Sequence, residues 1–333
     1  MPTDTSTTDT PTSAISTTDY DVVVIGGGAA GLSGALSLAR SRRSVLVIDA
    51  GEQRNLPAAG AHGFLTREGI TPSEIVRLGR AEVEMYGGTV VDGRVTAAHA
   101  SGTGFTVTLH DGRSVTARRL LITTGLVDEL PEIPGLRARW GRDVLHCPYC
   151  HGWEVRDQNI GIIATGPFAV HQALLFRQLS ATVSVILHNA PPLTDEQREQ
   201  LAARSISVID ESIEEILVRD DAVSGIRLAS GRVLPLDALV VGPRFVATSG
   251  LLVGLGLEPM PHPMGMGEYI PSEPMGVTSV PGVWVAGNVT ELSAQVVGAM
   301  AAGVGAGASI NADLVGEDTR HAVESYRAPA ATR

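Results

Sequence analysis

Lysine is absent from all 333 residues, so the 25 strong cations are arginines. That absence excludes Schiff-base catalysis and the P-loop lysine, because both need a primary amine. Positive charge is scarce as well. The formal net charge of −11 argues against nucleic acid or an anionic membrane surface as partner. Cys147 and Cys150 are the only two cysteines. Two thiols placed as Cys-x-x-Cys suit a reducing cytoplasm better than a disulfide-stapled secreted fold. No second such pair completes a zinc site, and no metal is expected. A leader is not apparent: Met1 to Asp19 is rich in Thr, Ser, Asp and Pro, lacks an apolar core, and reads as a disordered tail. Ser293 to Ile310 is apolar but made largely of Ala, Gly and Val, which reads as a buried helix rather than a membrane span.

What is present is organised around glycine turns. The β-branched run Tyr20 to Ile25 feeds Gly26-x-Gly28-x-x-Gly31, helical character follows from Leu32 to Arg40, and Ser44 to Ile48 gives a second strand closed by Asp49. In such a unit the first glycine permits a tight turn, the second admits a pyrophosphate, and the third lets helix and strand pack closely. Gly26, Gly28, Ala29, Ala30 and Gly31 are therefore candidate cofactor contacts, and Asp49 can accept hydrogen bonds from ribose hydroxyls. The fingerprint alone does not separate FAD from NAD. A hairpin is expected around Asp111-Gly112 and another from Asp220 to Gly231, with a separate strand at Leu120 to Ile122 ending in Thr123-Thr124-Gly125. A second strand-turn-helix unit starts at Asn159, and Val283 to Ala286 returns to a strand before the helix from Ser293. The expected fold class is α/β, with two Rossmann-like, three-layer nucleotide-binding domains, the second inserted into the first.

The chemistry concentrates in His146-Cys147-Pro148-Tyr149-Cys150-His151-Gly152-Trp153-Glu154. A Cys-x-x-Cys pair can cycle between dithiol and disulfide, and a histidine of ordinary pKa ~6.5 beside it can move the accompanying protons. Cys147, Cys150 and His151 are the candidate catalytic residues, with His146 as a lesser partner or a structural histidine. His62, in the loop after the first ribose-binding strand, reads as a solvated loop histidine, with approach to a flavin as the alternative. Arg54 could touch a cofactor or serve at the surface.

The succession of the Gly26–Gly31 turn, Thr123-Thr124-Gly125, the Cys-x-x-Cys, the second unit and Thr278 to Asn288 resembles the low-molecular-weight thioredoxin reductases over nearly the whole chain after the tail. The resemblance implies a discontinuous FAD domain (20–125 and 245–320), an inserted NAD(P)-binding-like domain (126–244) carrying the cysteines, tails at 1–19 and 321–333, and a homodimer. It implies FAD contacts at Thr124, Gly125, Gly287, Asn288, Gln295 and Val296 as well.

Three departures qualify it. The second nucleotide turn reads Ala164-Thr165-Gly166-Pro167-Phe168-Ala169, with a methyl where the family has its first glycine and a proline that removes an N–H. His188-Asn189-Ala190 stands where the family has the His-Arg-Arg that neutralises a 2′-phosphate. The motif Cys-Pro-Tyr-Cys-His replaces the usual Cys-Ala-Thr-Cys-Asp. This last pattern resembles the flavin-dependent dithiol oxidases that close disulfides in gliotoxin-, holomycin- and romidepsin-type metabolites. That resemblance implies a small dithiol and dioxygen as reactants, hydrogen peroxide as product, and a place in antibiotic biosynthesis. A disulfide reductase running in the opposite direction and a non-catalytic redox sensor are the alternatives. The Met260 to Met266 loop is expected to form an adaptable apolar wall for the substrate.

Overall fold

The computed structural model describes residues 19–247 and 250–328. The tail expected at the N-terminus lies outside them, except that Asp19 opens the first strand. That strand, β1 (Asp19–Ile25), is central: Val22, Val23, Val24 and Ile25 are buried on both faces, as a parallel strand covered on both sides requires. With α1 (Ala29–Arg40), β2 (Val45–Asp49), α2 (Pro72–Met85), β3 (Thr89–Asp92), β4 (Val95–Ser101), β5 (Gly104–Leu109) and β6 (Ser114–Ile122) it builds a sheet of order β3-β2-β1-β6-β5-β4. The expected hairpin at Asp111-Gly112 is β5 and β6, antiparallel from Phe105↔Ala117 to Thr108↔Ser114. Leu120 to Ile122, expected as a strand of its own, instead continues β6. One nine-residue strand serves both roles because its first half pairs with β5 and its second half with a strand from the far end of the chain.

The chain leaves this sheet through β7 (Leu126–Glu129), passes α3 (Leu136–Arg139), β8 (Val144–Leu145) and α4 (Pro148–His151), and enters a second nucleotide fold. That unit contains β9 (Ile160–Ile163), α5 (Ala169–Phe176), β10 (Val183–Ile186), α6 (Asp195–Ala203) and β11 (Ser207–Ile209). An antiparallel trio of β12 (Ile213–Arg219), β13 (Ala222–Leu228) and β14 (Val233–Leu234) precedes β15 (Ala238–Val241), giving a parallel sheet of order β11-β10-β9-β15-β8. The way back is β16 (Arg244–Ala247), antiparallel to β7 from Arg244↔Glu129 to Ala247↔Leu126. Two crossing strands thus join the inserted unit to the first. Then come α7 (Gly250–Gly254), the small hairpin β17 (Met260–Pro261) and β18 (Glu268–Tyr269), β19 (Val283–Val285) on the second half of β6, and α8 (Val296–Arg327).

The helix expected from Ser293 begins three residues later, after a 3₁₀ turn and a loop. Residues 321–327, expected as tail, continue it. Arg118 and Arg119 on β6 pair with Asp313, Glu317 and Asp318, which ties the helix to the middle of the sheet. Further in, α8 lies against α1 at a spacing only small residues permit. A Cβ on Gly303 would stand 2.0 Å from the Ala30 carbonyl oxygen. Gly303→Ala is therefore expected to force the helices apart, at a cost of about 1–3 kcal/mol, and to displace the start of α1. Thermal unfolding and bound-cofactor content should both fall; an unchanged Tm with full cofactor content would contradict this packing.

Candidate active site

The carboxyl ends of β1, β2, β6 and β19 open on one crevice, the position where an open α/β sheet binds its ligand. Gly26 follows β1 with φ +109°, and a Cβ there would meet the Thr123 carbonyl oxygen at 2.4 Å. The turn is therefore confined to glycine. Gly28 caps α1 with no side chain satisfying the first N–H groups of the helix, and the space over its Cα is open, with only Gln53 Cγ at 3.8 Å from a notional Cβ. Beside it the Thr124 hydroxyl is buried without a hydrogen-bond partner. Free N–H donors, an orphan hydroxyl and room above the turn fit a pyrophosphate-containing dinucleotide. A cavity of about 1210 Å³ runs from this cradle to the cysteines, more than the ~300–1,000 Å³ of an ordinary ligand pocket.

Gly26, Gly28, Ala29, Ala30, Asp49, Thr124, Gly125, Gly287, Asn288, Gln295 and Val296 all line that cavity, whereas Gly31 lies behind the turn against the Gly26 carbonyl. Asp49 is buried and accepts hydrogen bonds from the Gly27 N–H (3.2 Å), the Gln53 amide (2.9 Å) and the Arg80 guanidinium (2.7 Å). Gln53 and Arg80 were not legible as members of this group, since neither lies in a motif. The Asn288 amide donates to the Glu291 and Ala294 carbonyls, 3.0 Å each, and so shapes the loop that delivers Gln295 to the head of α8. Arg54 also borders the cavity, but its guanidinium makes a two-point pair with Asp128 (2.8 and 2.7 Å) and stacks over Phe245 at 4.9 Å.

Cys147 and Cys150 form a disulfide with Cα atoms 5.2 Å apart. Cys147 is the N-cap of the single turn α4, and Pro148 at its first position suits a turn that needs no N–H there. The Gln295 amide lies 3.7 Å from Cys150 Sγ. Cys150 is thus the sulfur nearer the cradle. Tyr149 and Trp153 stand 69% and 65% exposed around the disulfide, and Arg156 stacks on Trp153 at 4.3 Å.

The flanking histidines separate into two roles. His146 is held by the Val241 carbonyl (3.3 Å), receives the Gln172 amide on its own carbonyl (3.1 Å), and meets Phe245 edge-on at 5.4 Å. Burial, with the Arg54 charge, pushes its pKa down. It also borders the cavity, but its hydrogen bonds fix it as a support for the cysteine turn. His151 borders the cavity half-buried; burial lowers its pKa, Glu154 opposing and His62 reinforcing the shift. A neutral imidazole at pH 7 can accept a thiol proton. His62, expected in solvent, is instead paired with Glu68 at 2.7 Å and lies 3.5 Å from Glu154. In the Met260–Met266 loop, Met266 borders the cavity and packs with Leu126, Phe245 and Leu292, while Met264 points outward, 56% exposed.

At the second nucleotide turn the Thr165 hydroxyl donates to the Gly242 carbonyl at 2.6 Å. His188 Nδ1 accepts the Ile213 N–H at 3.0 Å and its Nε2 lies 3.1 Å from the Asn189 amide. The Thr165, His188 and Asn189 side chains thus have protein partners.

A dinucleotide cradle beside a redox-active disulfide defines a disulfide oxidoreductase. The family model described as pyridine nucleotide-disulphide oxidoreductase matches residues 20–303, and the chain belongs to that family. It is a flavoprotein enzyme of the thioredoxin reductase type. Similar proteins include the thioredoxin reductase sirT of Leptosphaeria maculans, 29% identical over 90% of this chain and 95% of the relative, and the thioredoxin reductase tcpT of Claviceps purpurea, 30% identical over 89% and 95%. The solved structure of HlmI superimposes with a TM-score of 0.87 at 44% identity, covering 92% of this chain and 96% of that one. An oxidoreductase from Agrobacterium tumefaciens gives 0.84 at 38%, covering 90% and 99%. Among the described residues no helix is long and apolar enough to cross a membrane.

The two half-buried histidines make stability pH-dependent. Their folded pKa values lie below the unfolded ~6.5, so just below that pH the unfolded chain binds more protons. Stability is full above ~6.5 and falls as pH drops toward the folded values. His146→Gln should flatten the fall in Tm between about pH 7.5 and about pH 5; parallel curves for variant and parent would contradict it.

Proposed function

We propose that this chain is an FAD-dependent dithiol oxidase that closes a disulfide within a small natural-product dithiol, with dioxygen as the final acceptor. The observation that carries this reading is the Cys147–Cys150 disulfide on the wall of the cofactor cavity, with Cys150 beside Gln295 at the head of α8. A substrate thiolate attacks Cys147, and Cys150 leaves as thiolate. The second substrate thiol, deprotonated by His151, attacks the mixed disulfide and expels Cys147. The turn from Gly26 to Gly31 would hold FAD, which would supply the two-electron oxidation of the reduced cysteines, with dioxygen as final acceptor and hydrogen peroxide as product. The N–H groups at the start of α8, which line the same cavity, would stabilise negative charge on the bound cofactor.

The altered turn at Ala164–Ala169 and the missing guanidinium groups at Asn189 and Ala190 favour this direction over nicotinamide-driven reduction. The names of the sirT and tcpT relatives favour the reductase. A homodimer belongs to the same proposal, supported by the exposed apolar side chains Val315, Val323 and Tyr326 on α8.

Cys147→Ser and Cys150→Ser should each keep FAD yet lose peroxide production with a dithiol; either variant working at the parent rate would refute the relay. His151→Ala should slow turnover by roughly 10²-fold at neutral pH and move the pH optimum toward ~8.5, where free thiols ionise unaided. An unmoved pH profile would reduce His151 to a structural residue.

A further inference from the structure

We propose that Gln295 is a further catalytic residue: its side-chain amide donates a hydrogen bond to Cys150 Sγ and stabilises the thiolate that forms there when the disulfide opens. The inference rests on the dithiol-oxidase reading for the step that opens the disulfide, and it adds to the cofactor contact expected of Gln295.

The contact from Gln295 Nε2 to Cys150 Sγ, at 3.7 Å, spans 145 positions of sequence. Among the described residues it is the one side-chain hydrogen bond made to either cysteine sulfur. Three local features put the amide there. Gln295 is the N-cap of α8, yet its side chain caps none of the helix's own N–H groups, so the amide is left for another partner. The Asn288 amide donates to the Glu291, Leu292 and Ala294 carbonyls at 3.0, 3.3 and 3.0 Å and so fixes the loop that leads into the cap. On the other side stands Gly63, with φ +68°, where a Cβ would lie 3.6 Å from Gln295 Oε1. The amide thus has its oxygen toward Gly63 and its N–H group toward the sulfur. That is the orientation a thiolate needs, because a thiolate accepts hydrogen bonds and has no proton to donate.

The reaction moves charge onto this sulfur. A substrate thiolate attacks Cys147 Sγ, the S–S bond breaks with its electron pair leaving on Cys150 Sγ, and a new S–S bond joins the substrate to Cys147. The negative charge passes from the substrate sulfur to Cys150, and no proton moves in this step. A disulfide sulfur is a weak acceptor, whereas the leaving thiolate carries a full charge, so the N–H···S contact strengthens as the bond opens. An interaction that is stronger along the reaction than before it lowers the barrier. Removing one donor to an oxyanion costs ~10²–10³-fold in rate, and the larger, more diffuse sulfur calls for about tenfold. The same contact chooses the leaving group. The better-stabilised thiolate departs faster, so the amide on Cys150 directs attack to Cys147.

The test uses the Cys147→Ser holoenzyme, in which Cys150 is the lone thiol, alkylated with iodoacetamide across a pH series and followed by mass. Gln295→Met keeps the length of the side chain and removes its N–H. It should raise the pH of half-maximal alkylation by about one unit, the effect of one hydrogen bond to a charged group. Gln295→Glu should raise it further, since a carboxylate repels the thiolate. In the Cys150→Ser holoenzyme the same substitutions should leave the Cys147 midpoint in place, which a general loosening of the site would not. Gln295→Leu serves if the methionine variant loses flavin. With both cysteines present, Gln295→Met should slow loss of the disulfide under excess dithiothreitol by roughly tenfold. An unmoved Cys150 midpoint, or equal shifts at both cysteines, would overturn the assignment. A parent whose disulfide ignores dithiothreitol would instead remove the dithiol-oxidase reading, and the Cys150 midpoints would still report on Gln295.

Discussion

The site depends on holding one sulfur, Cys150, against the head of α8, although cysteine turn and helix come from units joined by only two crossing strands. That constraint is met by a string of contacts that converge on Phe245 in β16. The Arg54 guanidinium covers one part of the ring and is paired with the buried carboxylate of Asp128 on β7. The His146 ring meets Phe245 edge-on and is followed directly by Cys147. A desolvated ion pair of this kind contributes little net stability but is costly to break, because either partner alone leaves an uncompensated charge. Its value here is positional. A chain that drew electrons from a nicotinamide would have to bring that ring and the cysteines to the flavin in turn, whereas a dithiol oxidase can leave its disulfide docked.

The same geometry accounts for the division of labour among the histidines. Both flank the cysteines in sequence, both border the cavity and both are pushed toward the neutral form by burial, yet among the described residues the His151 ring has no hydrogen-bond partner. His146 spends its hydrogen bonds on Val241 and Gln172. An imidazole that must cycle a proton has to be free of such partners, while one that sets the angle of a turn has to have them.

Much of this was legible in the sequence because it is local. The run Val22 to Ile25, the glycine turn that follows it and Asp49 at the end of β2 are neighbours in sequence and in space, and their spacing carries the cradle. The Cys-x-x-Cys with His151 is equally local. Partners that arrive from elsewhere leave no comparable signal: Asp128 lies 74 positions beyond Arg54, and Arg80 lies 31 beyond Asp49. Arg54 therefore read as either a cofactor contact or a surface residue, with no sign of its pairing to Asp128. His62 read as solvated because Glu68 is six residues away on a loop whose closure no periodicity encodes, and Glu154 comes from the other unit. Residues 321–327 looked like tail for the same reason, since β6 anchors the helix upstream of them from nearly two hundred positions earlier.

The source of the electrons is read most directly by an anaerobic titration of flavin absorbance, with NADPH, NADH and a small dithiol added to separate samples. Bleaching by the dithiol alone is expected, reversed by air with peroxide formed in step with disulfide. Rapid bleaching by either nicotinamide would contradict it, and would mean that the turn at Ala164–Ala169 still binds the cofactor its residues are poorly suited to hold.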